Sequence, residues 1–275
     1  MDAIWICVIL ALVQTSLSNL GLGVQKAGVA WMEGGPWSRP RLSKLGLWVF
    51  GILMCIAGIV AQGVALNYGP ASLVAVLGAF GLVPLYLFCR LVLKEPLAPA
   101  HIGSLVAIMA GVGYIGYYSE QAQDPSTFHP AAMLIGALCA LLIPALAALW
   151  ARQTGSPFQA LALGCLAGSS NGLALLMLKV GAVKDAWLAI GALWLGASAL
   201  GFVVIQWAYQ QGDAVQVVPS NTALAIVVPV LIAPWAFDEQ VSGWLLGGLL
   251  LILGGIVLLG FGEKAVARRP SLNQD

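Results

Sequence analysis

Apolar residues fall in nine blocks along the chain, at about 3–25, 46–67, 70–93, 99–118, 130–151, 157–178, 186–209, 214–236 and 242–262. A helix needs roughly 20 such residues to cross the hydrocarbon core of a bilayer. Polar residues collect between the blocks and, less often, inside them. "LNYGPASLVAVLGA" (Leu66–Ala79) is one such interruption. Its Gly69-Pro70 pair reads as a tight turn, since Pro suits the first turn of a helix, where its missing N–H costs nothing. The pattern predicts an all-α integral membrane protein of nine transmembrane helices, joined by short connections and carrying no soluble domain.

Composition sharpens this. Of 275 residues only 8% are charged and 60% are hydrophobic, whereas a soluble domain is about 25% charged. There is no basic block to bind nucleic acid; the expected partner is the lipid bilayer. The opening "MDAIWICVILALVQTSLSNLG" lacks a positive n-region and outruns the apolar core of a signal peptide, so it is read as the first span. If the N-terminus lies outside, Arg39, Arg41, Lys44, Arg90, Lys94, Arg152, Lys264, Arg268 and Arg269 all fall on the inner side. Lys and Arg collect on the cytoplasmic side, so the expectation is N-out and C-in, in a bacterial inner membrane. The five cysteines sit inside apolar spans without metal-ligand spacing and read as packing residues.

Internal repetition organises the nine spans. Sliding the chain by 144 residues aligns Gln62–Gly116 with Gln206–Gly260 without a gap. Gln62/Gln206, Glu95/Glu239, Gly103/Gly247 and Gly111/Gly255 match in that register. "SLSNLGLGVQKAG" (Ser16–Gly28) likewise resembles "SSNGLALLMLKVGA" (Ser169–Ala182). The plan is a single transporter domain with repeat one at about 3–118, a linking helix at 130–151 and repeat two at about 157–262. Counterpart helices lie five spans apart, an odd number, so the second copy enters the membrane inverted. Inverted repeats with broken, polar segments at matching positions are a design of secondary transporters, with the substrate held between the repeats.

Polar residues at membrane depth are the candidate substrate site. On helix 1, Gln14, Ser18, Gly21 and Gln25 follow at helical spacing and share a face, with Asn19 alongside. Ser169, Ser170 and Asn171 form the matching cluster in helix 6. "QQGDAVQVVPSNTA" (Gln210–Ala223) adds Gln216, Ser220 and Asn221 around Pro219, and Gln62, Gln206 and Ser72 complete the set. Each can line a cavity or serve as interhelical hydrogen-bonding glue. Lys26 and Lys179 lie near the exits of their helices, and either snorkel to the interface or face the cavity. Lys94 and Glu95, with Asp238 and Glu239 in the copy, read as end caps and topology determinants. No Asp or Glu lies deep in a span, two histidines sit near helix ends, and no Walker A motif occurs. An enzyme, a resident metal and an ATP-driven pump find no motif here, and no cofactor is expected.

"GVQKAG", "ALNYGPASLVAVLGA" and "LVLKEPLAPAHIG" resemble the NIPA-like magnesium transporters of the drug/metabolite transporter superfamily. The resemblance covers nearly the whole chain, and the Pro-Ala-Ser block is its most distinctive piece. It implies alternating access, and Mg²⁺ as a candidate substrate. Where the family carries a glutamate in its second helix this chain has Ile59, with Gln62 the nearest polar residue. The leading expectation is a carrier of a small polar solute or cation, with Mg²⁺ and an amine or organic metabolite in competition. A cation channel and a non-transporting scaffold are the alternatives. Direction, coupling ion and oligomeric state, a homodimer included, stay open at this point.

Overall fold

The computed structural model describes residues 3–32, 39–66, 68, 77, 79–118, 128–184, 187–238 and 243–267. Ser72, Asn67, the Gly69-Pro70 turn and Glu239 lie outside the described residues, and Lys179 is described as backbone alone. Among the described residues all regular structure is helical: α1 (Ala3–Gly28), α2 (Arg39–Leu66), α3 (Leu82–Phe88), α4 (Pro99–Tyr118), α5 (Pro130–Gln153), α6 (Gln159–Lys184), α7 (Trp187–Gln211), α8 (Ala214–Phe237) and α9 (Gly243–Ala267). A 3₁₀ turn precedes α3 and a π-helical turn, Cys89–Leu93, ends it.

Six of these helices are long and apolar enough to cross a membrane: α1, α2, α5, α6, α7 and α8. The other three predicted blocks hold shorter apolar stretches, Ala79–Leu93, Pro99–Ile115 and Leu246–Gly262. The chain is a multi-pass membrane protein. Its outer surface carries large apolar side chains, such as Leu53, Ile56 and Val60 on α2 and Leu134, Ile135, Leu142 and Ile143 on α5. Lipid tails are as apolar as these side chains, so their exposure costs nothing there.

For the same reason apolar burial does little to hold helix against helix in a bilayer, and close backbone approach has to do it. The main packed pairs are α1 with α2, α6 with α7 and α8, and α4 with α9. Each is lined by glycine. On α6, a β-carbon at Gly164 would stand 2.8 Å from Val217 O, and one at Gly168 2.2 Å from Asn221 O. On α1, one at Gly21 would stand 2.7 Å from Gly51 O of α2. These helices touch backbone to backbone, and any larger residue would push them apart.

The contact of α4 with α9 has a further regularity. A β-carbon on Gly111 would stand 2.7 Å from Gly248 O and from Ile252 Cγ1; one on Gly255 would stand 2.6 Å from Ile108 Cγ1 and 3.1 Å from Ser104 O. Gly111 and Gly255, Ile108 and Ile252, and Ser104 and Gly248 are all pairs related by the offset of 144. The contact is therefore reciprocal, as across a two-fold axis. Gly111 meets Ile252 while Gly248 meets Ile115 and Gly262 meets His101, so the two helices run antiparallel. The same offset links Lys94 (φ 56°) and Asp238 (φ 54°), the two non-glycine residues with positive φ among the described residues. Each turns the chain at the end of its helix.

Most of the basic residues gather at one set of helix ends. Gly28 lies against Lys44 and Trp48, Gly212 against Ala160, and Gly262 against His101, which gathers the ends of α1, α7 and α9 with the starts of α2, α4, α6 and α8. Lys26, Arg41, Lys44 and Arg152 belong to this end. At the other, His129 N–H donates to Ala236 O at 2.9 Å, and His129 Nε2 pairs with Asp238 Oδ2 at 2.8 Å.

The reciprocal seam makes a symmetric prediction. Gly111→Ala and Gly255→Ala should each destabilise the detergent-purified protein by about 1–3 kcal/mol, the usual range for overpacking. Gly113→Ala, where a β-carbon meets nothing within 4 Å, should be neutral or stabilising by up to ~1 kcal/mol. Melting midpoints of the three variants check this.

Candidate functional site

The polar groups of the two halves meet at the turn Gln211–Gly212–Asp213, between α7 and α8. The last carbonyls of a helix and its first N–H groups lack partners within the helix. Here both sets are met by charged side chains from the first half. Lys26, in the last turn of α1, donates from Nζ to Tyr209 O and, at 2.6 Å, to Gly212 O. Glu95 accepts the N–H of Ala214 on Oε1 at 2.8 Å and that of Val215 on Oε2 at 2.9 Å. Asp213 holds the N-cap position of α8 but makes no side-chain cap; Glu95 caps in its place from across the fold. A cation at a helix C-terminus and an anion at an N-terminus both match the helix dipole.

Local structure explains how Glu95 reaches that position. The π-turn closes on Lys94, whose left-handed backbone returns its N–H to Cys89 O, and Glu95 N–H donates to the same carbonyl at 3.0 Å. This corner drives the Glu95 side chain inward, where it is 5% exposed. Burial pushes its pKa up from the ordinary carboxylate value; the Ala214 N–H opposes the rise, the Asp213 charge adds to it, and Val215 and Lys26 oppose it.

One helical turn deeper, amides continue the junction. Gln206 Nε2 donates to Gln25 Oε1 at 2.6 Å, and Trp48 Nε1 donates to Gln206 Oε1 at 2.8 Å. Gln25 Nε2 reaches Cys55 Sγ at 3.4 Å. The Trp48 ring packs between Trp31 and Phe202, at centroid distances of 5.4 and 6.0 Å. Nearby on α7 and α8, Tyr209 OH and Gln216 Oε1 are buried with no partner among the described residues.

A second cluster lies nearer mid-membrane, on the second half. Asn171 Nδ2 donates to Asn221 Oδ1 at 3.0 Å across the α6–α8 contact. Ser170 and Ser220 turn back to Leu166 O and Val217 O, each at 3.0 Å. Ser170 also borders a cavity of about 290 Å³ between α5, α6 and α7, lined otherwise by apolar residues such as Leu141, Leu173, Leu193 and Leu200.

The residues proposed from sequence therefore divide. Lys26, Gln206 and Gln216 gather at the α7–α8 turn, and Asn171, Ser220 and Asn221 at the α6–α8 contact. Asn19 is buried against α3, bonded to Thr15 O at 3.0 Å and close to Gly81. Ser18 faces Gly58 of α2, a helix-packing position. Gln14 keeps a buried Oε1 without a partner among the described residues, and Gln62 is exposed. Gln25 and Glu95 are residues of this candidate site that the sequence underweighted. The available signal was Glu95 itself, a rare acid held in register with Glu239. Among the described residues no three His, Cys, Asp or Glu side chains come together to hold a metal.

Gln206 ties three elements together, so Gln206→Leu leaves Gln25 Oε1 buried without its donor. The expected loss is about 1–3 kcal/mol. Adding Gln25→Leu should restore part of it, because two apolar partners cost less than one stranded amide. A double-mutant cycle on the melting midpoint reads both effects. Comparison with known proteins adds no relative: no family model, curated protein or solved structure matches the chain.

Proposed function

We propose that the chain is a secondary transporter of the drug/metabolite type, carrying a small polar solute or cation by alternating access between two inverted repeats. The observation that carries this reading is the reciprocal, antiparallel contact of α4 with α9. An axis that exchanges two antiparallel helices lies perpendicular to both, and hence in the membrane plane. That is the symmetry that gives one chain two similar shapes, opening to opposite sides. The gathering of most basic residues at one end supports N-out, C-in orientation, and in that orientation the Lys26–Glu95 junction belongs to the cytoplasmic side.

In this reading the junction is a closed inner gate. Lys26, Gln25 and Glu95 of the first half hold Gln206, the α7–α8 turn and the first N–H groups of α8. Opening inward exchanges these bonds for water, while Asn171, Asn221 and Gln14 stand deeper and supply amide groups to a polar solute, and Gln216 adds another at the turn itself. Amide oxygens suit an amine, a hydroxylated metabolite or a cation that keeps its water. Mg²⁺, the substrate implied by the family resemblance, belongs to the last class, because it dehydrates reluctantly. A resident cofactor has no role in the scheme.

Two measurements test the reading. A thermal-shift screen of purified protein against divalent cations, amines, nucleotide sugars and carboxylates should raise the midpoint with one class, since a ligand binding the folded state alone stabilises it. Flux of that class into proteoliposomes should saturate, and Asn171→Ala or Asn221→Ala should lower it by about tenfold, equivalent to one buried hydrogen bond of ~1.4 kcal/mol. Non-saturating, conductive flux would identify a channel. Absence of both binding and flux across the four classes would leave a membrane scaffold.

A further inference from the structure

We propose that the end of α7 is a binding site for a primary ammonium group, and that Lys26 is its built-in occupant. The last helical bond of α7 runs from Gly212 N–H to Ala208 O at 3.1 Å. Tyr209 O and Gly212 O lie beyond it, where carbonyls have no donor within the helix. Both accept from Lys26 Nζ, Gly212 O at 2.6 Å. An ammonium carries three N–H donors on one positive charge and accepts nothing, so a single group can answer several carbonyls. The negative end of the α7 dipole favours that charge. Glu95, 5% exposed, stands within electrostatic reach of Lys26 and of Asp213. Gln216 brings a further oxygen to the turn: its Nε2 would stand 2.5 Å from a β-carbon on Gly212, and its buried Oε1 has no partner among the described residues.

Lys26 is a visitor to this cage and not part of its walls. The acceptors belong to the turn between α7 and α8, which Glu95 holds through the N–H groups of Ala214 and Val215 at 2.8 and 2.9 Å. The ammonium comes from α1, 183 residues earlier in the chain, on a flexible four-carbon stem. Lys26 is half-buried, so water at that end of the bundle reaches its side chain. Cutting the stem strands two carbonyls and takes from Glu95 the cation that faces it. A free amine of the same outline restores both. Helix-end carbonyls of this kind hold Na⁺ or a proton in carriers built from broken helices. Here the chain supplies the cation itself. On the alternating-access reading above, closing the inner gate therefore draws no coupling cation from the cytoplasm.

The test is chemical rescue. Lys26→Ala removes the atoms that n-propylammonium would put back. The detergent-purified variant should melt below the wild-type chain at neutral pH, where alkylamines are protonated. Adding n-propylammonium at about 100 mM should raise its midpoint by about 3 °C or more, the shift of a site with a Kd on the order of 10 mM. Tetramethylammonium, a cation without N–H groups, and n-propanol, which has the shape without the charge, should leave it where it was. The wild-type midpoint should respond to none of the three, because Lys26 fills the site. Lys26→Gly should prefer n-butylammonium, one carbon longer, a preference that a general effect of amines on the protein would not produce. Equal shifts with all three solutes, equal shifts in wild type and variant, or no shift in either variant would overturn the proposal. A Lys26→Ala chain too unstable to purify alone is solubilised in each solute instead. Folded protein recovered in n-propylammonium only is then the expected result, and equal recovery or none overturns the site. The midpoint reads the site without transport, so rescue in a chain that moves no solute would uphold it and remove the transporter reading.

Discussion

Everything in this fold depends on the lack of water in the hydrocarbon core. A backbone polar group there must find its partner within the protein, which restricts the spanning elements to helices. Helix association then gains nothing from excluding water, because lipid competes equally for apolar surface. What remains is close van der Waals packing and polar contact. The glycines of α1, α4, α6 and α9 let carbonyls of neighbouring helices approach closer than any side chain would allow. Where three prolines interrupt α8, at Pro219, Pro229 and Pro234, freed carbonyls must be accommodated too. Gly172 leaves room beside Ala225 O, the carbonyl that Pro229 leaves without its helical donor.

The α7–α8 turn follows from the same constraint. Two helix termini meet there, exposing acceptors on one side and donors on the other. A loop in water would hydrate them. Here a lysine and a glutamate from the first half of the chain take the place of that water. The polarity of the peptide group chooses the sign of each: ammonium for the carbonyl end, carboxylate for the amide end. The result joins the first part of the chain to the second through charges that each helix end already requires.

Much of the architecture was legible in the sequence. The apolar blocks located six helices of spanning length, because span length is a physical dimension of the bilayer, and shorter apolar stretches at the other three; the 144-residue register matched Gly111 with Gly255, positions that the α4–α9 seam then uses reciprocally. The site was less legible. Periodicity placed Gln14, Ser18 and Gly21 on one face of α1, but it could not say that Ser18 and Gly21 turn towards α2, since a small residue serves packing and a cavity equally well. Lys26 stood out, although its acceptors are main-chain carbonyls that no side-chain pattern can reveal. Glu95 reads from sequence as an end cap, and it is one, for a helix more than a hundred residues away. Capping of a distant helix leaves no local spacing to recognise. The corner that aims Glu95 inward rests on a left-handed lysine, for which sequence offers no sign.

That corner and its counterpart have one more consequence. A glycine would adopt the backbone of Lys94 or Asp238 without the steric cost borne by an L side chain, about 1–2 kcal/mol. The chain keeps a cation at one and an anion at the other, at opposite ends of the bundle. The two corners thus share a shape and differ in sign. Corners of one backbone shape give the two ends of the bundle opposite electrostatic character, as the two poles of a magnet differ in sign and not in form.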